Sequence, residues 1–202
     1  MDILTQDFYA RDTLTAARDL LGRDIVRVLE DGTRLVCRIT ETEAYIGRMD
    51  KACHAYGYKR TPRTETLFAP PGTAYLYLIY GMYHCLNLVT EAPGEPAAVL
   101  IRGAEPVSNG DIIAKNRFGC KEKDMTAYQR KNFLNGPGKL CLGLGLTRAQ
   151  NGLDLTRPEN GLYLLPGRPP APEAVRTGPR VGIDYAQEAV DFPWRFWLEK
   201  ED

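Results

Sequence analysis

The segment from Pro70 to Arg102 restricts the fold of this chain more than any other. Pro70-Pro71-Gly72 breaks the backbone, Thr73 to Tyr80 is a run of apolar and aromatic residues, Gly81-Met82 interrupts it, and Tyr83 to Thr90 resumes it. Such composition, punctuated in this way, reads as a β-hairpin. If Gly81-Met82 is a two-residue turn, with the glycine supplying a positive φ, Tyr80 and Tyr83 flank its tip. There they act either as a cross-strand aromatic ladder or as an exposed wedge. Glu91-Ala92-Pro93-Gly94-Glu95-Pro96 then turns the chain into Ala97 to Arg102, a third strand that Arg102 closes.

A second hairpin precedes it. Asp24 to Glu30 and Thr33 to about Tyr45 are strand-like and are joined through Asp31-Gly32. Leu35, Cys37 and Ile39 occupy alternate positions, so a strand that continues places Glu41, Glu43 and Tyr45 on the same apolar face. Burial disfavours the charged form of a carboxylate and raises its pKa, which suits a general acid or base. A strand that stops near Thr40 leaves both acids in solvent instead.

Elsewhere, Asp12 to Leu21 has helical spacing with Gly22 as a stop. Arg48 to Phe68 has little periodicity and carries His54, Tyr56, Tyr58 and Lys59-Arg60-Thr61-Pro62-Arg63, and reads as a functional loop. Ile112 to Arg117 and Thr126 to Asn132 look helical. Asn135-Gly136-Pro137-Gly138-Lys139-Leu140 looks like a turn opening a further helix, where backbone N–H groups and Lys139 could receive a phosphate. Leu162 to Leu165 is a short strand and the proline-rich Arg168 to Glu173 a connector. Arg180 to Ile183 and Trp194 to Trp197 suggest closing strands.

The 202 residues suit one domain, 1–202. No apolar run approaches a membrane span and the N-terminus lacks the pattern of a secretory signal, so a cytoplasmic protein is expected. Five cysteines without a CxxC pair argue against a disulfide framework. The lone serine, Ser108, has no nucleophile-elbow motif around it, and GxGxxG and P-loop motifs are absent. Cys53-His54 and His84-Cys85 lack zinc-ligand spacing, so no metal is expected. Net charge is zero, yet charge is segregated: Lys115 to Lys139 holds seven basic residues against two acidic ones, and acids collect toward the C-terminus. One basic face and an acidic back follow if these runs share surfaces.

Glu41-Thr42-Glu43-Ala44-Tyr45-Ile46-Gly47, His54, Thr61-Pro62-Arg63, Gly72 to Tyr83, Asn87 and Val99-Leu100-Ile101-Arg102 occur in an order that resembles the alkyladenine (3-methyladenine) DNA glycosylase family. Gly136 to Cys141 and Arg180-Val181-Gly182 continue the match, which covers nearly the whole chain. The resemblance implies an α+β fold: a single mixed domain with a curved, largely antiparallel sheet, flanking helices and a protruding hairpin that enters the DNA minor groove.

The resemblance also implies roles. Glu43 is the general base that activates water, and Arg102 helps hold water and carboxylate. Tyr45 and His54 stack on one face of a flipped base and Tyr77 on the other. Asn87 rejects guanine by collision with its exocyclic amino group. Tyr80 fills the gap left in the duplex. Arg63 and Lys139, and Lys51 on charge alone, contact the DNA backbone. No cofactor is needed. The implied partner is double-stranded DNA containing damaged purines, bound by a monomer without membrane attachment. The implied location is bacterial cytoplasm at the nucleoid, or a nucleus in a eukaryote. Two other readings stay open: a module that stacks bases on Tyr45, Tyr77 and Tyr80 without cleavage, and a lyase using Lys139 as a Schiff-base nucleophile. Glu41 receives no role.

Overall fold

A computed structural model describes residues 2–199; Met1, and Lys200, Glu201 and Asp202 of the acidic end, lie outside the described residues. In chain order the helices are α1 (Gln6–Tyr9), α2 (Thr13–Asp19), α3 (Gly110–Phe118), α4 (Ala127–Lys131) and α5 (Pro137–Leu144). The strands are β1 (Asp24–Val28), β2 (Arg34–Ile46), β3 (Ala74–Ile79), β4 (Tyr83–Val89), β5 (Ala97–Ser108), β6 (Leu162–Leu165), β7 (Val175–Gly178) and β8 (Arg195–Leu198). They form one eight-stranded sheet, ordered β3-β4-β5-β2-β1-β6, with β8 joining β2 to β7. Every pairing is antiparallel, the sheet is curled, and the architecture is the expected α+β one.

Strand β2 is the spine. One edge pairs with β5 from Val36 to Ile46. The other edge is divided: β1 takes Arg34 to Arg38, and β8 takes Glu41 to Glu43. Helix α2 starts at Asp12, whose carboxylate accepts the Thr15 N–H at 2.9 Å, and it buries Ala16 and Ala17 beneath the sheet. The Thr42 hydroxyl donates to the Ala17 carbonyl at 2.8 Å. On the same side, Leu140, Cys141 and Leu144 of α5 pack with Leu86 and Leu88 of β4 in the main core.

The alternation expected along β2 breaks at a pair of irregularities. Ile39 pairs with Ala104, Glu41 with Gly103 and Thr42 with Ile101, so Thr40 is an extra residue on β2 and Arg102 an extra residue on β5. Each bulge shifts the face presented by the residues that follow it. Leu35, Cys37 and Ile39 face the main core, but beyond the bulge Ala44 does so, while Glu43 and Tyr45 turn to the concave side. Glu43 is therefore buried on the face opposite to Leu35, not on the same one.

Three other boundaries differ from expectation. The β3–β4 connection is a three-residue loop, because Ile79 pairs with Tyr83. Tyr80 and Gly81 both adopt positive φ, 53° and 70°, and the Met82 N–H donates to the Ile79 carbonyl at 3.2 Å, so the turn begins one residue early with Tyr80 inside it. Arg102 does not close β5, which runs on to Ser108. Arg180 to Ile183 is a loop, and the closing strand pairs with Val175 to Gly178 instead.

Candidate active site

The concave side of the sheet lines a cavity of about 580 Å³. Across four strands the register aligns Tyr75 with Asn87, Asn87 with Leu100, and Leu100 with Glu43. At a strand spacing of ~4.8 Å, Glu43 and Asn87 stand ~10 Å apart with Leu100 as the floor between them. One row behind, Tyr77 pairs with Cys85 and lines the same space.

Glu43 has no solvent-exposed surface. Its Oε2 accepts the Tyr45 hydroxyl at 2.7 Å, and its Oε1 accepts the Val181 N–H at 2.9 Å and lies 3.6 Å from Arg102 Nε. Burial pushes the carboxyl pKa above the ordinary range, while Arg102, Tyr45 and the Val181 N–H hold it down and Glu41 adds repulsion. The balance leaves a carboxylate that is oriented on both oxygens and able to take a proton. Glu41, which had no expected role, accepts from Arg102 Nε at 2.8 Å and from Arg195 Nε at 2.6 Å through one oxygen. It thereby fixes the guanidinium that faces Glu43.

Tyr45 is positioned from behind. The Arg180 guanidinium lies over its ring at 4.7 Å and over Trp194 at 5.1 Å. Arg180 forms a two-pronged, fully buried ion pair with Asp50 at 2.5 and 2.8 Å, and also donates to the Ala44 carbonyl at 2.8 Å. Asp50 in turn accepts the N–H groups of Ile46 and Ala52, at 3.3 and 2.9 Å. This cluster ties three pieces together: the end of β2, the loop after it, and the segment whose Val181 N–H reaches Glu43. With one face of Tyr45 covered by a cation, only its other face is open to the cavity.

His54 stands on that loop, but on Tyr77's wall rather than opposite it. Its ring meets Tyr77 edge-on at 4.6 Å, and its Nδ1 is 3.1 Å from the Tyr75 hydroxyl. Arg63 donates to Nε2 at 3.4 Å, which makes Nε2 the acceptor and Nδ1 the protonated nitrogen that donates to Tyr75. Burial, reinforced by Arg63, lowers the His54 pKa to about 4, so the ring is neutral near pH 7. His54, Tyr75 and Tyr77 are thus packed against one another, with His54 and Tyr77 side by side, in a cavity that Tyr45 also lines.

The remaining expected residues divide. Tyr80 sits at the hairpin tip at the mouth, 82% exposed. The Asn87 amide donates to the Tyr75 and Cys85 carbonyls at 3.1 and 3.3 Å, which fixes its orientation. Lys139 lines the cavity, its Nζ donating to Asn132 and Asn135 Oδ1 at 2.8 Å each. Arg63 lies at the rim, 5.4 Å from the Tyr77 centroid. Lys51 instead donates to Gln187 and Glu188 at 2.6 and 2.8 Å, away from the cavity lining. Sequence reasoning missed Tyr75, Asp50, Arg195 and Arg117. It quoted Arg180-Val181 without a role, because a main-chain donor leaves no side-chain signal.

Comparison with known proteins gives the family to which the chain belongs. Residues 7–202 match the family described as methylpurine-DNA glycosylase (MPG). A relative from Clostridium perfringens (strain SM101 / Type A), named "Putative 3-methyladenine DNA glycosylase", is 48% identical over 196 residues, 97% of this chain and 95% of the relative. Relatives with the same name from Alkaliphilus oremlandii and Clostridium novyi are 47% and 44% identical, covering 97% and 98% of this chain and 95% and 96% of their own lengths. The chain therefore belongs to the methylpurine-DNA glycosylase family and is a monofunctional DNA glycosylase of base-excision repair.

Proposed function

We propose that this glycosylase rotates a damaged purine nucleotide out of duplex DNA and hydrolyses its N-glycosidic bond with water activated by Glu43. The observation that carries the reading is a fully buried carboxylate, held by Tyr45, the Val181 N–H and Arg102, on the floor of an aromatic cavity. The base lies between the open face of Tyr45 and the wall of Tyr77, Tyr75 and His54. Asn87 meets its edge, and a guanine amino group collides there.

In the reaction, water oxygen bonds to C1′ as the C1′–N bond breaks, and the bonding pair leaves with the base. Glu43 accepts the proton released by water, and Arg102 steadies the charge. 3-Methyladenine already carries positive charge and departs neutral, whereas hypoxanthine needs protonation as it leaves. Tyr80 occupies the gap in the stack, which offsets part of an unstacking penalty of a few kcal/mol. The chain acts as a monomer in bacterial cytoplasm, in keeping with the bacterial source of its relatives.

A panel of duplexes, each with one 3-methyladenine, 7-methylguanine, hypoxanthine or undamaged purine, tests this. The reading expects free base and an intact strand that breaks only on heating with alkali. Wild type that binds such duplexes and releases nothing supports the stacking module instead. Strand cleavage with a borohydride-trapped adduct supports the lyase.

A further inference from the structure

We propose that α4 and the turn before it form a second DNA contact, gripping the sugar–phosphate backbone beyond the flipped nucleotide. The proposal rests on reading the cavity as a lesion pocket, and it gives a function to a charge run that the catalytic account leaves unused. Lys115, Lys121, Lys123 and Lys131 are exposed, and none pairs with a carboxylate among the described residues. Glu122 and Asp124 lie among them, but the stretch from Lys115 to Lys131 keeps a surplus of positive charge, which is complementary to phosphates.

The segment is held in a fixed shape. Met125 and Phe133, at either end of α4, are buried in the main core. Thr126 and Gln129 form a capping box at its start, and Arg130 donates to the Lys123 carbonyl at 2.8 Å, fastening the preceding turn to the helix. Between those anchors Tyr128 is 75% exposed and stacks on no other ring among the described residues. Packing gives no reason for an aromatic residue there.

Hydrogen bonds connect its helix to the cavity lining. Tyr128 and Asn132 are four residues apart and share a helix face, ~6 Å from each other. Asn132 is the residue that accepts from Lys139 through its side chain at 2.8 Å, and from Arg117 through its carbonyl at 3.2 Å. Both Lys139 and Arg117 line the cavity. Helix α4 spans five residues, ~7.5 Å, so Tyr128 lies about one turn from Asn132 and, through it, from two residues of the cavity lining. The Tyr128 hydroxyl donates to a phosphate oxygen while its ring covers a deoxyribose. Lys121, Lys123 and Lys131 meet neighbouring phosphates, without sequence preference.

The test measures affinity for a duplex with one hypoxanthine by fluorescence anisotropy at several salt concentrations. It compares wild type, Tyr128→Ala and the triple variant Lys121→Gln/Lys123→Gln/Lys131→Gln. The slope of log affinity against log salt should flatten by ~0.9 for each phosphate contact removed, so by ~2 to 3 in the triple variant. Tyr128→Ala should weaken binding by about fivefold. Single-turnover base release at saturating enzyme should stay within twofold of wild type. Unchanged affinity and slope in both variants overturn the proposal, even where base release is normal. Flattened slopes with no base release from wild type uphold this contact and reject the glycosylase chemistry instead.

Discussion

Glu41→Gln is expected to slow base release by about ten- to a hundredfold without unfolding the protein. One Glu41 oxygen accepts from Arg102 Nε at 2.8 Å and from Arg195 Nε at 2.6 Å, and the side chains of Glu41 and Arg102 are only 16% and 17% exposed. Hydrogen bonds to a charged group in such a setting contribute ~1.5–3 kcal/mol. At 1.36 kcal/mol per decade of rate, losing the grip on Arg102 gives roughly the stated range, provided Arg102 acts in the transition state. A rate within twofold of wild type refutes the reasoning.

Other substitutions separate stability from chemistry. Asp50→Asn strips a partner from the buried Arg180 pair and should cost ~3–5 kcal/mol. At ~2–4 °C per kcal/mol for a chain of this size, that is a fall of roughly 6–20 °C in melting temperature, and a change below about 3 °C contradicts it. Tyr80 holds a positive φ of 53° while 82% exposed. A left-handed non-glycine residue costs ~1–2 kcal/mol and added chain entropy returns ~0.5–1, so Tyr80→Gly should leave stability equal or slightly higher in urea melts. Its base release from duplex should fall sharply; full activity, or a loss of stability above about 1 kcal/mol, counts against the wedge. His54 has its folded pKa depressed to about 4. The unfolded chain binds the proton first, so stability is present above the ordinary histidine pKa and is lost as pH falls toward 4. Melting temperatures of wild type and His54→Gln should therefore converge between pH 7 and pH 4.5, and a constant difference argues otherwise.

The residue types at the site were readable from the chain, but their facing was not. Asp31-Gly32 and the Tyr-rich hairpin announced their strands, because turn chemistry and β-branched or aromatic runs are local signals. Parity put Glu43 with Leu35, and the answer was reversed by Thr40, which is extra on β2 as Arg102 is on β5. Each adds one unpaired residue to its strand. Neither has a composition signature, since a bulge is decided by what the neighbouring strand does. Resemblance rather than periodicity chose Glu43 over Glu41. The structure then gave Glu41 its own work, because β5 and β8 bring Arg102 and Arg195 to it from far along the chain. The pairing of Asp50 with Arg180 is equally non-local.

The most direct test of the central claim is single-turnover release of hypoxanthine from duplex DNA by wild type and Glu43→Gln, with affinity for the same duplex measured alongside. The amide keeps the shape and an acceptor but cannot take a proton from water, so release should fall by ~10²–10⁴-fold while affinity stays within a few-fold. Comparable release rates from the two proteins would contradict the assignment of Glu43 as the base.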